Sequence, residues 1–200
     1  MKKKSFISPI IFMSLLTAVF ALILASLDYT TADRIELLQG TELREKILHV
    51  FDIPVTSQDP NEIEDLFQEH VKEDNSFEPA VYYTLENGDV TAYAVPVSGA
   101  GLWGSIEGYI GLSADFKEIL GLEFTAHSET PGLGGRISEP AFLGQFKNLD
   151  ISDAQGSEYV VYKPAPGGNV DAVSGATLTS KSVSVLLNED ISNFIKEKRG

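Results

Sequence analysis

Hydroxyl groups carry most of the chemical potential of this sequence. In Asp171-Ala172-Val173-Ser174-Gly175-Ala176-Thr177-Leu178-Thr179-Ser180, four of them precede an apolar-periodic run. One use of such a stretch is a helix N-cap, because Ser174, Thr177, Thr179 and Ser180 all carry oxygens able to accept a free amide proton. The other use is phosphate binding. Small Gly175 and Ala176 leave the Thr177 hydroxyl open beside a helix N-terminus, where free amides and the helix dipole favour an anion. Lys181, one turn onward, adds a counter-charge. Such a segment can hold a phosphate covalently or not.

Two further segments combine reactive or conformationally special residues. His127-Ser128-Glu129-Thr130-Pro131-Gly132-Leu133-Gly134-Gly135-Arg136 sets His, Glu and Thr before a glycine-rich turn. Pro131 fixes its own φ, and the glycines let backbone approach a flat or anionic group closely. One imidazole and one carboxylate two residues apart do not complete a metal shell. Residue types alone fit a structural turn and a ligand-contacting loop equally well. Gly99-Ala100-Gly101-Leu102-Trp103-Gly104 matches G-x-G-x-x-G, but a dinucleotide fingerprint needs a helix to open within it. The residues that follow read as strand, so the expected role is a flexible loop before a strand.

Composition removes most other chemistry. The 200 residues contain no cysteine, which excludes disulfides, thiolate catalysis, cysteine-ligated zinc and iron–sulfur clusters. His49, His70 and His127 are the three histidines, none in a triad context, and no G-x-S-x-G occurs. A net charge of −14 argues against nucleic acid, which needs clustered cations. At 43% hydrophobic residues the chain can bury a core. Any redox or group-transfer work must use hydroxyls, carboxylates, backbone, or an imported cofactor.

The elements that position these segments follow from periodicity. Lys2, Lys3 and Lys4 precede an uncharged apolar run over 6–27, long enough to span a ~30 Å hydrocarbon layer as a helix. A secretory signal peptide is the rival reading, but its apolar core is usually about 7–15 residues, and Ile23-Leu24-Ala25 is a poor cleavage site. An uncleaved anchor is expected, with the lysines cytoplasmic and the body outside. Without those three lysines the chain holds 12 basic residues against 29 acidic ones, a net −17 for the body. Helices are expected over 33–50, with Gly40 a possible interruption, and after Asp59-Pro60, with Ile63, Leu66, Phe67 and Val71 as its stripe. Strands are expected over 80–85 and 90–95, joined by an Asn87-Gly88 hairpin, then over 104–112, 119–127 and 159–163. An amphipathic helix closes the chain over 178–198. The organisation is therefore an anchor (1–27), a helical connecting region (28–79) and a domain over 80–200. The fold class is α+β: a transmembrane helix, then an antiparallel sheet with packing helices.

The two segments at 127–134 and 171–177 together resemble the FMN-binding domain family. Its members include NqrC, the flavin-bearing subunit of the Na+-translocating NADH:quinone reductase (Nqr), and its relative RnfG, a subunit of the Rnf complex. The family's flavinylation signature, D-x-x-[ST]-G-A-[ST], is matched without departure from Asp171 to Thr177. The 127–134 segment is similar to the family's loop near the isoalloxazine ring. Gly101-Leu102-Trp103-Gly104 and Tyr109 look like the Nqr version, whereas a length of 200 residues is nearer the Rnf protein.

The resemblance implies covalent FMN, joined to Thr177 through a phosphodiester that a dedicated flavin transferase makes. It implies that Asp171, Ser174, Gly175 and Ala176 shape the attachment turn, and that Glu129, Thr130 and Leu133 touch the flavin. No catalytic side chain and no metal ligand is expected, since the flavin carries the electrons. The implied function is electron transfer within an Nqr-type complex that moves Na+ while passing electrons from NADH to ubiquinone. An Rnf-type ferredoxin:NAD+ oxidoreductase is the nearer alternative, and a non-redox membrane-tethered binding module the farther one. Partners are the other membrane subunits, which supply the NADH and quinone sites. The expected location is the cell (inner) membrane, single-pass, with the N-terminus cytoplasmic and the flavin domain periplasmic or otherwise extracytoplasmic.

Overall fold

The computed structural model describes residues 7–199. Lys2, Lys3 and Lys4, on which the expected orientation rests, and Phe6 lie outside the described residues, as does Gly200. The chain divides into two units, Met1–Gly40 and Thr41–Gly200.

From Ile7 the first unit is helical throughout; it is the N-terminal part of helix α1 (Ile7–Val50), whose last ten residues belong to the second unit. Its stretch Ile7–Ala32, 26 residues of mean hydropathy 2.6, is long and apolar enough to cross a membrane. Ile11, Phe12, Leu15 and Phe20 are among its exposed apolar side chains. Ser26, Thr30 and Thr31 donate their hydroxyls back to the carbonyls of Leu22, Ser26 and Leu27, so these polar groups are satisfied within the helix. The helix expected over 33–50 is the C-terminal part of this same element. Gly40 does not interrupt it, because a single glycine costs a helix only about 1 kcal/mol.

The second unit is built on an antiparallel sheet of six strands: β1 (Val71–Asp74), β2 (Val81–Glu86), β3 (Asp89–Ala100), β4 (Ser105–Ser113), β5 (Glu118–His127) and β6 (Leu149–Asp150). Each strand pairs with its sequence neighbour, in the order β1-β2-β3-β4-β5-β6. The Asn87-Gly88 turn joins β2 to β3 with φ of 54° and 94°, the left-handed pair that matches the twist of a two-residue hairpin. Helix α2 (Pro60–His70) is capped by Asp59, whose carboxylate accepts the Asn61 amide at 2.8 Å. Val71, expected on its stripe, instead begins β1.

Alternation along the strands sends side chains to two separate cores. Val81, Val95, Val97, Ile110 and Leu112 face one core with Val183, Leu187, Ile191 and Phe194 of helix α4 (Thr177–Arg199). Tyr82, Ala94 and Tyr109 face the other with Ile47, Leu48 and Val50 of α1 and Ile63 of α2. On that second face Gly111 and Gly121 pair across β4 and β5. A β-carbon on Gly111 would lie 2.8 Å from the Val50 carbonyl oxygen, and one on Gly121 2.9 Å from it. Glycine at both positions is therefore what lets the end of α1 reach the sheet.

One expected strand is absent. No strand forms over 159–163; the region makes an isolated bridge between Tyr162 and Val170, and the Val161 carbonyl also accepts the Asn169 amide at 2.8 Å. The Asn188 side chain of α4 takes both the Tyr159 and Val160 amides, at 2.9 and 2.8 Å, replacing a ladder. Between β5 and β6 the chain forms a 3₁₀ turn (Gly134–Ser138), the short helix α3 (Pro140–Leu143) and a second 3₁₀ turn (Gly144–Phe146), none of which periodicity suggested.

Candidate functional site

The three segments singled out by residue type meet in one place. The β3–β4 turn, the loop after β5 and the start of α4 line a cleft of about 290 Å³. Its walls include Leu102, Trp103, Glu129, Thr130, Leu133 and Thr177.

Gly99-Ala100 is the end of β3, and the residues after it form a tight hairpin tip closed by the Gly101 amide on the Gly104 carbonyl at 2.7 Å. The G-x-G-x-x-G segment is therefore the end of β3 and the loop before β4, and no helix opens within it. In the 127–135 loop, the Thr130 carbonyl accepts from the Leu133 and Gly135 amides at 3.1 and 2.9 Å, folding the glycines back. The Glu129 amide donates to His127 Nδ1 at 3.3 Å.

The third segment approaches α4 through fixed backbone. Gln145 grips Asp171 twice, accepting its amide at 2.7 Å and donating to its carbonyl at 3.2 Å. Ser180 Oγ accepts the Val173 amide at 3.0 Å, and Gly175 turns the chain with φ of 81°. Ala176 is buried, and Thr177 opens the helix with its side chain exposed. Among the described residues its hydroxyl has no hydrogen-bond partner. Ser180 does act on backbone preceding the helix, as the capping reading expects, but Thr177 does not. The first amides of α4 have no preceding helical carbonyls to bind, so an anion beside Thr177 meets free donors.

Glu129 lies at the back of the cleft and is 5% exposed. Its Oε1 accepts the amides of Leu102 at 2.7 Å and Trp103 at 3.1 Å, and its Oε2 accepts the Thr179 hydroxyl at 2.6 Å. Burial pushes its pKa up, but the Thr179 hydroxyl, the two amides and nearby His127 together outweigh burial and hold it below the ordinary carboxylate value. The carboxyl is thus ionised at neutral pH. Around the mouth stand four apolar side chains that a soluble surface has no reason to gather: Leu102, Trp103, Leu133 and Leu178, exposed by 47%, 69%, 50% and 62%.

Of the residues named from sequence, the cleft gathers Glu129, Thr130, Leu133, Gly175, Ala176 and Thr177. Asp171 and Ser174 lie outside its lining; the Asp171 carboxylate is exposed and 3.6 Å from Lys163 Nζ. Five lining residues were not assigned to the site from sequence: Leu102, Trp103, Gly134, Leu178 and Thr179. The signal for Leu102-Trp103 was present, because two large apolar residues at a hairpin tip bury nothing in their own domain. Thr179 left none, since its role depends on a glutamate fifty residues away. No group of three or more potential metal ligands occurs among the described residues.

Fold and site together define an α+β module that presents a free hydroxyl at a helix N-terminus beneath an apolar clamp. Residues 101–192 match the family model described as FMN-binding domain. Over 98% of its length the chain is 32% identical to 98% of the G subunit of an ion-translocating oxidoreductase complex from Methanosarcina acetivorans. It is 35% identical to the C subunit of the Na(+)-translocating NADH-quinone reductase of Pseudomonas aeruginosa, over 54% of this chain and 44% of that one. The chain therefore spans about half the length of the NADH-quinone reductase relatives it matches. The crystal structure of the C subunit of the same type of reductase from Parabacteroides distasonis superposes with a TM-score of 0.66 at 28% identity, covering 80% of this chain and 93% of that one. The chain belongs to the FMN-binding domain family.

Proposed function

We propose that Thr177 carries FMN through a phosphodiester, and that the chain is the flavin-bearing electron-transfer subunit of an ion-translocating oxidoreductase in the cell membrane. The observation that carries this reading is the exposed, unpartnered Thr177 hydroxyl opening α4 below Leu102, Trp103, Leu133 and Leu178. A phosphate at Thr177 meets the free amides of the helix start, and a planar ring meets apolar side chains. FMN, when bound, supplies the reversible electron uptake that no side chain here offers. The protein's own task is to hold the ring, exclude water from one face and leave an edge for a partner. Asp171 and Ser174, exposed beside the turn, are placed to meet a flavin transferase. The flavin domain is assigned to 80–200, after the anchor (1–27) and the helical connection (28–79), and is extracytoplasmic.

End-to-end similarity to a G subunit, against about half the length of the NADH-quinone reductase relatives, favours an Rnf-type complex. An Nqr-type complex that moves Na+ and reduces quinone is the second reading, supported by the likeness to the Parabacteroides distasonis crystal structure. Co-expression with a flavin transferase, followed by denaturing electrophoresis and intact-mass measurement, tests attachment. Flavin fluorescence that survives denaturation, a gain of one FMN less one water, and loss of both in Thr177→Val are expected. Colour that washes out on denaturation, or that survives the substitution, defeats the reading.

A further inference from the structure

A carboxylate lining a ligand cleft would ordinarily be taken as a ligand contact. Here both oxygens of Glu129 are already committed within the protein: Oε1 to two hairpin-tip amides, Oε2 to the Thr179 hydroxyl. The surroundings are shaped to those two oxygens. A β-carbon on Gly101 would come 2.5 Å from Oε1, and one on Gly134 2.5 Å from Oε2 and 2.6 Å from Thr179 Oγ1. Two glycines thus leave the space the carboxylate fills. A buried charge is tolerated only when hydrogen-bonded on this scale. The hairpin tip that bears Leu102 and Trp103 is otherwise closed by the single Gly101–Gly104 bond.

We infer that Glu129 is a positioning residue: its carboxylate latches the β3–β4 hairpin tip to the first turn of α4, fixing the apolar jaws of the cleft relative to Thr177. The latch stands on this structure alone, while its consequence for a bound flavin rests on the proposed function. Reach matters more than charge in this role. In Glu129→Gln both contacts remain available, the new carbonyl accepting the two amides and the new NH2 donating to Thr179. The side chain introduced by Glu129→Asp is one methylene short of spanning both sides.

The test uses the full chain in detergent micelles, without a transferase, and follows hydrogen–deuterium exchange. Glu129→Ala should speed exchange of the Leu102 and Trp103 amides about 10- to 100-fold, the scale of hydrogen bonds to a charged acceptor. Amides of β4 and β5 such as Ile110 and Leu122 should keep their protection. Glu129→Gln should restore the wild-type pattern and Glu129→Asp should not. With a transferase co-expressed, attached flavin should show lower fluorescence anisotropy in Glu129→Ala and Thr179→Val, and wild-type anisotropy in Glu129→Gln. Thr179→Val is isosteric and breaks only the α4 arm, so the comparison remains decisive where the alanine variant does not fold. Unchanged exchange at Leu102 and Trp103 in a folded Glu129→Ala, protection lost throughout the sheet in Thr179→Val, or unaltered anisotropy in Thr179→Val would each overturn the latch. Wild-type protein that takes up no flavin would sink the proposed function instead, with exchange still deciding the latch.

Discussion

Gly111 and Gly121 face each other across β4 and β5, and together they form the notch that admits Val50. A β-carbon on Gly121 would also lie 3.2 Å from Val50 Cα, so the obstacle is backbone and cannot rotate away. Gly121→Ala should cost about 1–3 kcal/mol through overpacking. The thermal midpoint of the full chain in detergent should fall by about 2–4 °C per kcal/mol. An unchanged midpoint would show that the helix end yields freely.

Thr177 is exposed and makes no internal hydrogen bond among the described residues, so its chemistry can be separated from its structural cost. Thr177→Ser should keep covalent flavin, since serine supplies the same oxygen. Thr177→Val should lose it while changing unfolding free energy by no more than about 0.5 kcal/mol. Denaturing-gel fluorescence and urea unfolding read the two quantities independently.

Gly175 has φ of 81°, and the nearest atom to an added β-carbon is Leu133 Cδ2 at 3.9 Å. Space is available; backbone conformation is the obstacle. Gly175→Ala should therefore destabilise by about 1–2 kcal/mol through left-handed strain. It should also lower the yield of covalent flavin by displacing Thr177, measured as the labelled fraction in intact mass spectra.

Two carboxylates should give opposite pH signatures. Glu129 has a folded pKa below its ordinary 4.5, so its stabilising effect is complete above that value and drains as pH falls through the folded pKa. The advantage of wild type over Glu129→Ala should shrink on acidification. Asp190 is pushed above 3.8 by burial, despite accepting the Ser98 amide, with Glu189 adding to the rise. Its ionised form opposes folding, and that opposition disappears as pH falls below 3.8. Asp190→Asn, which still accepts from Ser98, should stabilise at neutral pH and lose its gain in acid. Urea unfolding across pH 3–7 distinguishes the two.

Trp103 is the single tryptophan and is 69% exposed. Trp103→Ala should alter stability by no more than about 0.5 kcal/mol. In flavin-loaded protein it should lower anisotropy and raise flavin emission by removing the stacking surface. Equal emission from both proteins would exclude Trp103 as a ring contact.

Much of the fold was legible because local rules agreed with the tertiary result. The Asn87-Gly88 turn, the alternating strands around it and the apolar stripe of α4 follow directly from short-range pattern. The 159–163 segment failed for a specific reason: it has the β-formers of a strand, but Asn188 and Asn169 side chains satisfy its backbone. Such long-range capping has no local signature. The same limit divided the site. Asp171 to Thr177 was readable as a motif, whereas nothing in the sequence neighbours of Glu129 shows that Leu102, Trp103 and Thr179 are its hydrogen-bond partners.

The meander and the last helix differ in when they can exist. Each strand pairs with a sequence neighbour, so hairpins can zip while the chain is still being made, at about 5–20 residues per second. The sheet face carrying Val95, Ile110 and Leu112 stays bare until Val183, Leu187, Ile191 and Phe194 arrive. Thr177 begins that helix, so its setting beside Glu129 and Trp103 is assembled last. An attachment reaction that recognises this setting would act as a proofreading step, marking only chains in which α4 has docked on the sheet.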